Sequence, residues 1–300
     1  MKRILITGSS GFIGSHLVKS LAKNKKYKIF AVDKKRFNFK NPQNIYQINI
    51  DLKNQELKFP KNIDIVIHLA AYNGTKFFYE KPLDVINDNI IPTLNLINYF
   101  KKKKLKRFIY AGSPESIAGA TDFYKYKVPT DEKCPFVVPD PTNNRWSYGN
   151  SKALGEQAVI LSGLPFTVIR YFNVYGPGQI DHFVSEFYNR IIKKKFELYG
   201  YNNTRTFIYV DDAIEATKLI INNKKANNEI FNIGGEKEIK IKDVAKIIMK
   251  LLNLKNKIKF FPSPKGSVLR RRPNINKLKK ITKFEIKTHL KEGLKKTLNV

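Results

Sequence analysis

The feature that most constrains this 300-residue chain is a glycine triplet near its start. The segment ILITGSSGFIGSHL (4–17) sets Gly8, Gly11 and Gly14 directly after a short apolar run and at the opening of an amphipathic one. A turn this tight needs glycine, and backbone can approach a pyrophosphate only where no Cβ intervenes. A helix that opens there adds free N–H groups and the positive end of its dipole. The spacing G-x-x-G-x-x-G is one residue wider than the G-x-G-x-x-G dinucleotide pattern, and a purely structural glycine turn is the competing reading. Asp33 favours the dinucleotide. It ends the second apolar run, about twenty residues beyond the last glycine, where a carboxylate accepts hydrogen bonds from the adenosine ribose and repels a 2′-phosphate. NAD is therefore expected over NADP, although Lys34, Lys35 and Arg36 follow at once and would welcome a phosphate.

Candidate strands at 3–7, 28–32, 45–48, 63–69, 108–111 and 166–170 alternate with helical patterns at 12–24, 82–103 and 147–161. The strands are continuous apolar runs, as strands buried on both faces are. This predicts an α/β chain: a Rossmann doubly wound parallel sheet with right-handed crossovers, followed by a smaller C-terminal α+β substrate lobe. The expected division is 1–172 for an NAD-binding Rossmann domain and 173–300 for a substrate-binding lobe, with 206–222 returning to the first. Residues 128–144, with four prolines, read as a long loop. Asp212 and Glu215, three apart before an apolar helix, read as a capping box.

Composition narrows the function classes. One cysteine, Cys134, excludes an internal disulfide and fits a reducing, cytoplasmic setting. His16, His68, His182 and His289 show no zinc-ligand spacing, so no metal site is expected. No apolar run approaches the roughly 18 residues that span a bilayer, so membrane insertion is not expected. The net charge of +31 is mostly lysine spread over the whole chain. It reads as a solvated surface, with attraction for an anionic substrate second and specific nucleic-acid binding last.

Tyr148 and Lys152 stand four apart in a helical stretch, which puts the phenol and the ammonium on one face. A tyrosine is a poor base at neutral pH unless a nearby cation favours its phenolate. By itself the pair could equally be a solvated helix face. The motifs around it, in order, resemble the extended short-chain dehydrogenase/reductases. Within these the match is to the NAD-dependent epimerase/dehydratase family, typified by UDP-glucose 4-epimerase. The resemblance runs over nearly the whole chain: TGSSGFIGSHL, Asp51-Leu52, His68-Leu69-Ala70-Ala71, Asn89 with Thr93, RFIYAGS (107–113), Tyr148 with Lys152, RYFNVYGP (170–177) and RTFIYVDDAIEA (205–216).

The resemblance implies a cofactor site of Gly8, Gly11, Phe12, Ile13, Gly14, Asp33, Asp51, Leu52, Leu69, Ala70, Ala71 and Asn89, with Tyr148 and Lys152. It makes Tyr148 the catalytic acid/base, Lys152 the group that holds the nicotinamide ribose and tunes Tyr148, and Ser113 the hydrogen-bond partner of the reacting sugar oxygen. Asn173, Arg205 and Arg271 would hold a nucleotide diphosphate, with Arg270 and Arg272 as neighbouring alternatives to Arg271. The implied activity is NAD-dependent epimerisation of a nucleotide-diphosphate sugar through a transient keto-sugar. Decarboxylation, 4,6-dehydration and simple reduction or dehydrogenation are alternatives, and a non-catalytic nucleotide- or nucleic-acid-binding protein is the rival from another class. The helices at 82–103 and 147–161 are expected to pair across a homodimer.

Two departures border the sugar end. Ser113-Pro114-Glu115-Ser116-Ile117-Ala118-Gly119 is one residue longer than the family pattern, and a long connection to Tyr148 ends in Arg145-Trp146-Ser147. Dehydrating relatives carry an acid where Pro114 stands, and proline has no proton to donate. Glu115 is expected to shape the loop or to hydrogen-bond a sugar hydroxyl. Decarboxylating relatives keep a glutamate in its place, but no counterpart to the arginine they use stands out in the second lobe. His68 reads as a packed residue beside the cofactor, and His182 as a sugar-site lining or a surface residue.

Overall fold

A computed structural model describes residues 1–36, 43–54, 56–263 and 266–300. Lys34, Lys35 and Arg36 lie at the edge of the first of these spans. Runs rich in β-branched and aromatic residues form β1 (Lys2–Thr7), β2 (Tyr27–Asp33), β3 (Ile45–Asn49), β4 (Ile65–His68), β5 (Arg107–Gly112) and β6 (Phe166–Tyr171). They join the Glu229–Ile233 strand in one sheet of order β3-β2-β1-β4-β5-β6-(229–233), with every pairing parallel.

The strand period of two explains the continuous apolar runs. Ile4 and Ile6 face one core with Ile29, Ala31, Ile65 and Ile67, whereas Leu5 faces the other with Phe30, Val32 and Val66. Helix α1 (Phe12–Ala22) and the Val210–Asn222 helix pack together on the first side. The Pro82–Lys101 and Ser147–Leu161 helices pack together on the second. Burying both faces takes the backbone polar groups out of water, and the parallel ladders satisfy them.

Because the chain runs outward from β1 to β3 and then returns to β4 on β1's other side, a crevice opens beyond the carboxyl ends of β1 and β4. The remaining strands are short. Thr204–Arg205 lies between Ile239–Lys240 and Arg270–Arg271, Glu197–Tyr199 pairs with Lys259–Phe261, and Val174–Tyr175 pairs with Ile208–Tyr209. Among the described residues no helix is long and apolar enough to cross a membrane.

Two local expectations are corrected. The sheet gains its seventh strand from Glu229–Ile233, a stretch read from the sequence as part of the second lobe. Asp212 and Glu215 do not form a capping box. The helix is capped at Tyr209 without a side-chain bond, so Asp212 already lies inside the first turn. Its carboxylate accepts from the backbone N–H groups of Lys287 (3.2 Å) and Thr288 (2.9 Å), and Glu215 pairs with Lys218 at 2.7 Å.

Candidate active site

The glycine loop is locked between β1 and β4. Gly8 has φ +67°, and a Cβ there would stand 2.6 Å from the Ala70 nitrogen; one on Gly14 would fall on the Gly8 carbonyl oxygen. Helix α1 opens at Gly11 with no side-chain cap and no acidic residue in its first turn. Its leading N–H groups and the positive dipole end are left for an anion. Asp33, ending β2, accepts from the Ser10 N–H at 3.0 Å and from the Lys35 N–H at 3.0 Å, which fixes the loop beside the adenosine side. Asp51 closes a turn by accepting from Lys53 N at 2.9 Å, and Leu52 beside it is buried. These residues fit a dinucleotide, with backbone toward the pyrophosphate and carboxylate toward the ribose.

Behind the crevice a buried polar chain ties the sheet to the helices. His68 contacts Thr7 Oγ1 through Nδ1 (2.7 Å) and Thr93 Oγ1 through Nε2 (3.0 Å). Burial, with Lys152 adding to it, lowers its pKa to about 3, so the ring is neutral and structural, as its strand position suggested. Asn89 accepts from the Tyr72 N–H at 2.7 Å and donates to Ser151 Oγ at 3.0 Å. Its amide is thus engaged with the loop after β4 and with the helix that carries Tyr148.

Ser113 follows β5 and Tyr148 opens the Ser147–Leu161 helix, and the phenol hydrogen-bonds Ser113. The Tyr148 ring stacks on Phe78 with centroids 4.8 Å apart. Burial pushes the phenol well above its ordinary range. The Ser113 hydrogen bond pulls it down. The charged groups that bear on it are Glu115, which raises it, and Arg271, which lowers it. Lys152 Nζ lies over the Tyr110 ring, 4.6 Å from its centroid. Burial lowers its pKa to about 7 against the opposing pull of Glu156.

Glu115 is the centre of a second, charged cluster. Its Oε2 meets Arg145 Nη2 at 2.6 Å and its Oε1 meets Arg271 Nη2 at 2.7 Å. Burial raises its carboxyl, but the two arginines outweigh burial and hold its pKa at about 2. Arg145 Nη1 and Arg271 Nε remain buried without an acceptor. The three residues line a cleft of about 320 Å³ together with Asn173, His182 and Arg205. Arg205 donates to the carbonyls of Thr204, Val268 and Leu269, and burial beside Arg271 lowers its pKa to about 9. Asn173, at φ +42°, donates to the Thr206 carbonyl at 2.9 Å. Arg270 turns outward to Glu238 (2.8 Å).

Residues 4–234 match the NAD dependent epimerase/dehydratase family. The chain belongs to that family. It is 34% identical over 319 residues to the UDP-N-acetyl-alpha-D-glucosaminuronate decarboxylase of Bacillus cytotoxicus, covering 99% of this chain and 97% of that one. The crystal structure of the Thermotoga maritima UDP-glucose 4-epimerase with UDP-glucose superposes with TM-score 0.85 at 29% identity, covering 99% and 97% of the two chains. The Bacillus cereus UDP-glucuronic acid 4-epimerase, in complex with UDP-glucuronic acid and NAD, superposes with TM-score 0.85 at 26% identity over 99% and 98%. The protein is thus an NAD-dependent nucleotide-sugar enzyme.

Of the residues named from sequence, Glu115, Asn173, His182, Arg205 and Arg271 line one cleft, whereas Arg270 turns outward. Sequence reasoning did not single out Arg145 as a site residue. The signal was its place three residues before Tyr148, in a segment already noted as unusual. Nor does the sequence show that Arg271 pairs with Glu115 from a distant loop.

Proposed function

We propose that the protein is a nucleotide-sugar epimerase that works through a transient keto-sugar. One observation carries this reading: neither Pro114 nor Glu115, the two residues that follow Ser113, can serve as the acid or base that elimination of a group needs. Pro114 has no proton to give, and Glu115 has both oxygens paired and a pKa of about 2, too low for a base at neutral pH. Oxidation and re-reduction remain.

The glycine loop, Asp33 and Lys152 would hold NAD, which supplies a hydride acceptor and donor at the sugar carbon when bound. Tyr148, whose phenolate needs positive charge beside it to offset burial, would take the proton of the sugar hydroxyl as that carbon is oxidised and return it when the carbon is reduced on its other face. Ser113 donates to the oxygen on which charge develops. The unpaired N–H groups of Arg145 and Arg271, with Arg205 and Asn173, face the anionic parts of the substrate. Leu83, Ile91 and Leu94 on one helix and Leu154 and Leu161 on its neighbour are exposed apolar residues, which supports pairing of these helices in a homodimer.

A second reading, decarboxylation, is favoured by the two arginines on one glutamate. They leave positive charge for a sugar carboxylate, and a 4-keto uronic acid loses carbon dioxide with no added base. The 34% identical decarboxylase supports it. Incubation with UDP-glucose, UDP-glucuronic acid and their N-acetylated counterparts, followed by mass spectrometry and NMR, decides. Epimerisation gives a product of unchanged mass with inverted configuration. A product lighter by carbon dioxide establishes the second reading, and one lighter by water overturns both.

A further inference from the structure

His182 holds a backbone conformation that side chains seldom adopt. Its φ of 78° and ψ of 167° lie in a region populated almost only by glycine, and such a state persists only where its surroundings enforce it. The helix that begins next, Phe183–Ile192, does not require a histidine. His182 gives it no side-chain cap, only a carbonyl that accepts from Glu186 N at 2.9 Å and Ser185 Oγ at 3.1 Å. Glycine would do the same without strain.

The ring explains the residue better than the backbone does. Asn73 donates from Nδ2 to His182 Nε2 at 3.2 Å. The orientation of that amide is fixed by the Gly74 N–H, which donates to Asn73 Oδ1 at 2.8 Å. With Nε2 an acceptor, the ring is neutral and its proton sits on Nδ1. His182 keeps an exposed surface, and the protein crowding the rest of the ring lowers its pKa against the pull of Glu186 and Asp181, in keeping with a neutral ring. No described residue accepts from Nδ1. Asn73 lies two residues past Ala71 in the loop after β4, and a Cβ on Gly74 would come within 3.3 Å of Asp181 Oδ2. The two segments therefore meet at the mouth of the cleft that Glu115, Arg145 and Arg271 also line. One wall of that cleft carries Arg145 and Arg271; His182, held from behind by Asn73, lines it too, beside Glu186 and Arg190 of the helix that follows.

We infer that His182 is a specificity-determining residue that donates from Nδ1 to a hydroxyl of the sugar ring, while Asn73 holds the imidazole in place. This rests on the reading that a nucleotide sugar fills the cleft. A neutral imidazole suits a hydroxyl, and the charges of the substrate belong to the arginine wall. The strain at His182 is then the means of aiming the ring toward the cleft from the position just before the helix.

The test is His182→Gly, which removes the ring and relieves the backbone, assayed with UDP-glucose and UDP-glucuronic acid. The KM for the preferred sugar nucleotide should rise about 10- to 100-fold, the loss expected for one well-placed hydrogen bond in a site built around it. Affinities for UDP alone and for NAD should stay unchanged, and the melting temperature should hold or rise. His182→Asn, which tolerates positive φ and keeps a donor, should recover part of the loss. A KM within threefold of wild type in the glycine variant overturns the inference. So does a loss for UDP and sugar nucleotides alike that follows a lowered melting temperature in both variants. A wild-type protein that binds neither sugar nucleotide better than UDP defeats the parent reading and this inference together. A wild type that prefers a sugar, beside an equally able glycine variant, defeats the inference alone.

Discussion

The cofactor crevice and the sugar cleft adjoin, yet they are built by different means. Around Gly8 the protein offers backbone: uncapped N–H groups at the start of α1, a loop pinned by Asp33, and glycines pressed against neighbouring main chain. Around Glu115 it offers side-chain charge, with Glu115, Arg145 and Arg271 drawn from separate segments and balanced against one another under burial. A backbone cradle is fixed by the fold and changes little from one substrate to the next. A buried charge cluster must always be compensated, by its own glutamate or by a ligand, so one substitution can retune it. Cofactor use is thereby held constant while the sugar end is free to diverge.

The largest expected effect comes from the residue where the two regions meet. Tyr148→Phe keeps the ring that stacks on Phe78 and removes the proton-transfer group. Turnover should fall by about 10² to 10⁴, with NAD affinity nearly unchanged by titration. If NAD affinity falls as far as turnover does, the crevice and the cleft are not separable and the contrast fails.

Next is Glu115→Gln, which should unsettle the cleft alone. Leaving Arg145 and Arg271 buried without their carboxylate should cost about 3–5 kcal/mol of stability at pH 7. Glu115 has a folded pKa near 2, below its ordinary 4.5, so its contribution is complete above about pH 4.5 and is lost as pH falls toward 2. Denaturant unfolding of both proteins should therefore show a gap that is wide at pH 7 and closes below pH 4.5. A gap that is independent of pH would mean that Glu115 acts through packing and not through its charge.

The same contrast decides what could be read from the sequence. The crevice was legible because its parts are local: a strand, a glycine turn, a helix and then Asp33 at the end of the next strand. The Ser147–Leu161 helix was legible for the same reason. The cleft was not, because a side chain's partner there comes from far along the chain. Nothing in the sequence neighbourhood of Arg271 announces that it pairs with Glu115. Lys152 was read as the partner of Tyr148 from their helical spacing. That spacing gives a shared face, but it does not announce that the ammonium also lies over the Tyr110 ring of β5. The Glu229–Ile233 strand was missed because membership of a sheet depends on a distant neighbour, here β6. The strained backbone of His182 leaves no mark in sequence, since φ > 0 outside glycine is a product of tertiary context.

The smallest expected effect concerns Asp33, where the crevice itself uses charge. Its two carboxylate oxygens accept from Ser10 N and Lys35 N, so it holds the glycine loop while standing where a 2′-phosphate would lie. Lys35 and Arg36 line the adjoining pocket with Ser9, Gln47 and Asn49, and attraction for a phosphate is already in place there. Asp33→Ala should weaken NAD a few-fold by loosening the loop and strengthen NADP by removing the repulsion. The preference for NAD should shrink about tenfold, which is 1.4 kcal/mol of discrimination. Asp33→Asn separates the two parts, because it retains an acceptor for the loop while removing the charge. NADP should gain in that variant with little loss of NAD. If both cofactors weaken equally in both variants, Asp33 only braces the loop. Selection between the cofactors would then rest on side chains, as it does at the sugar end, and the contrast between the two regions would narrow.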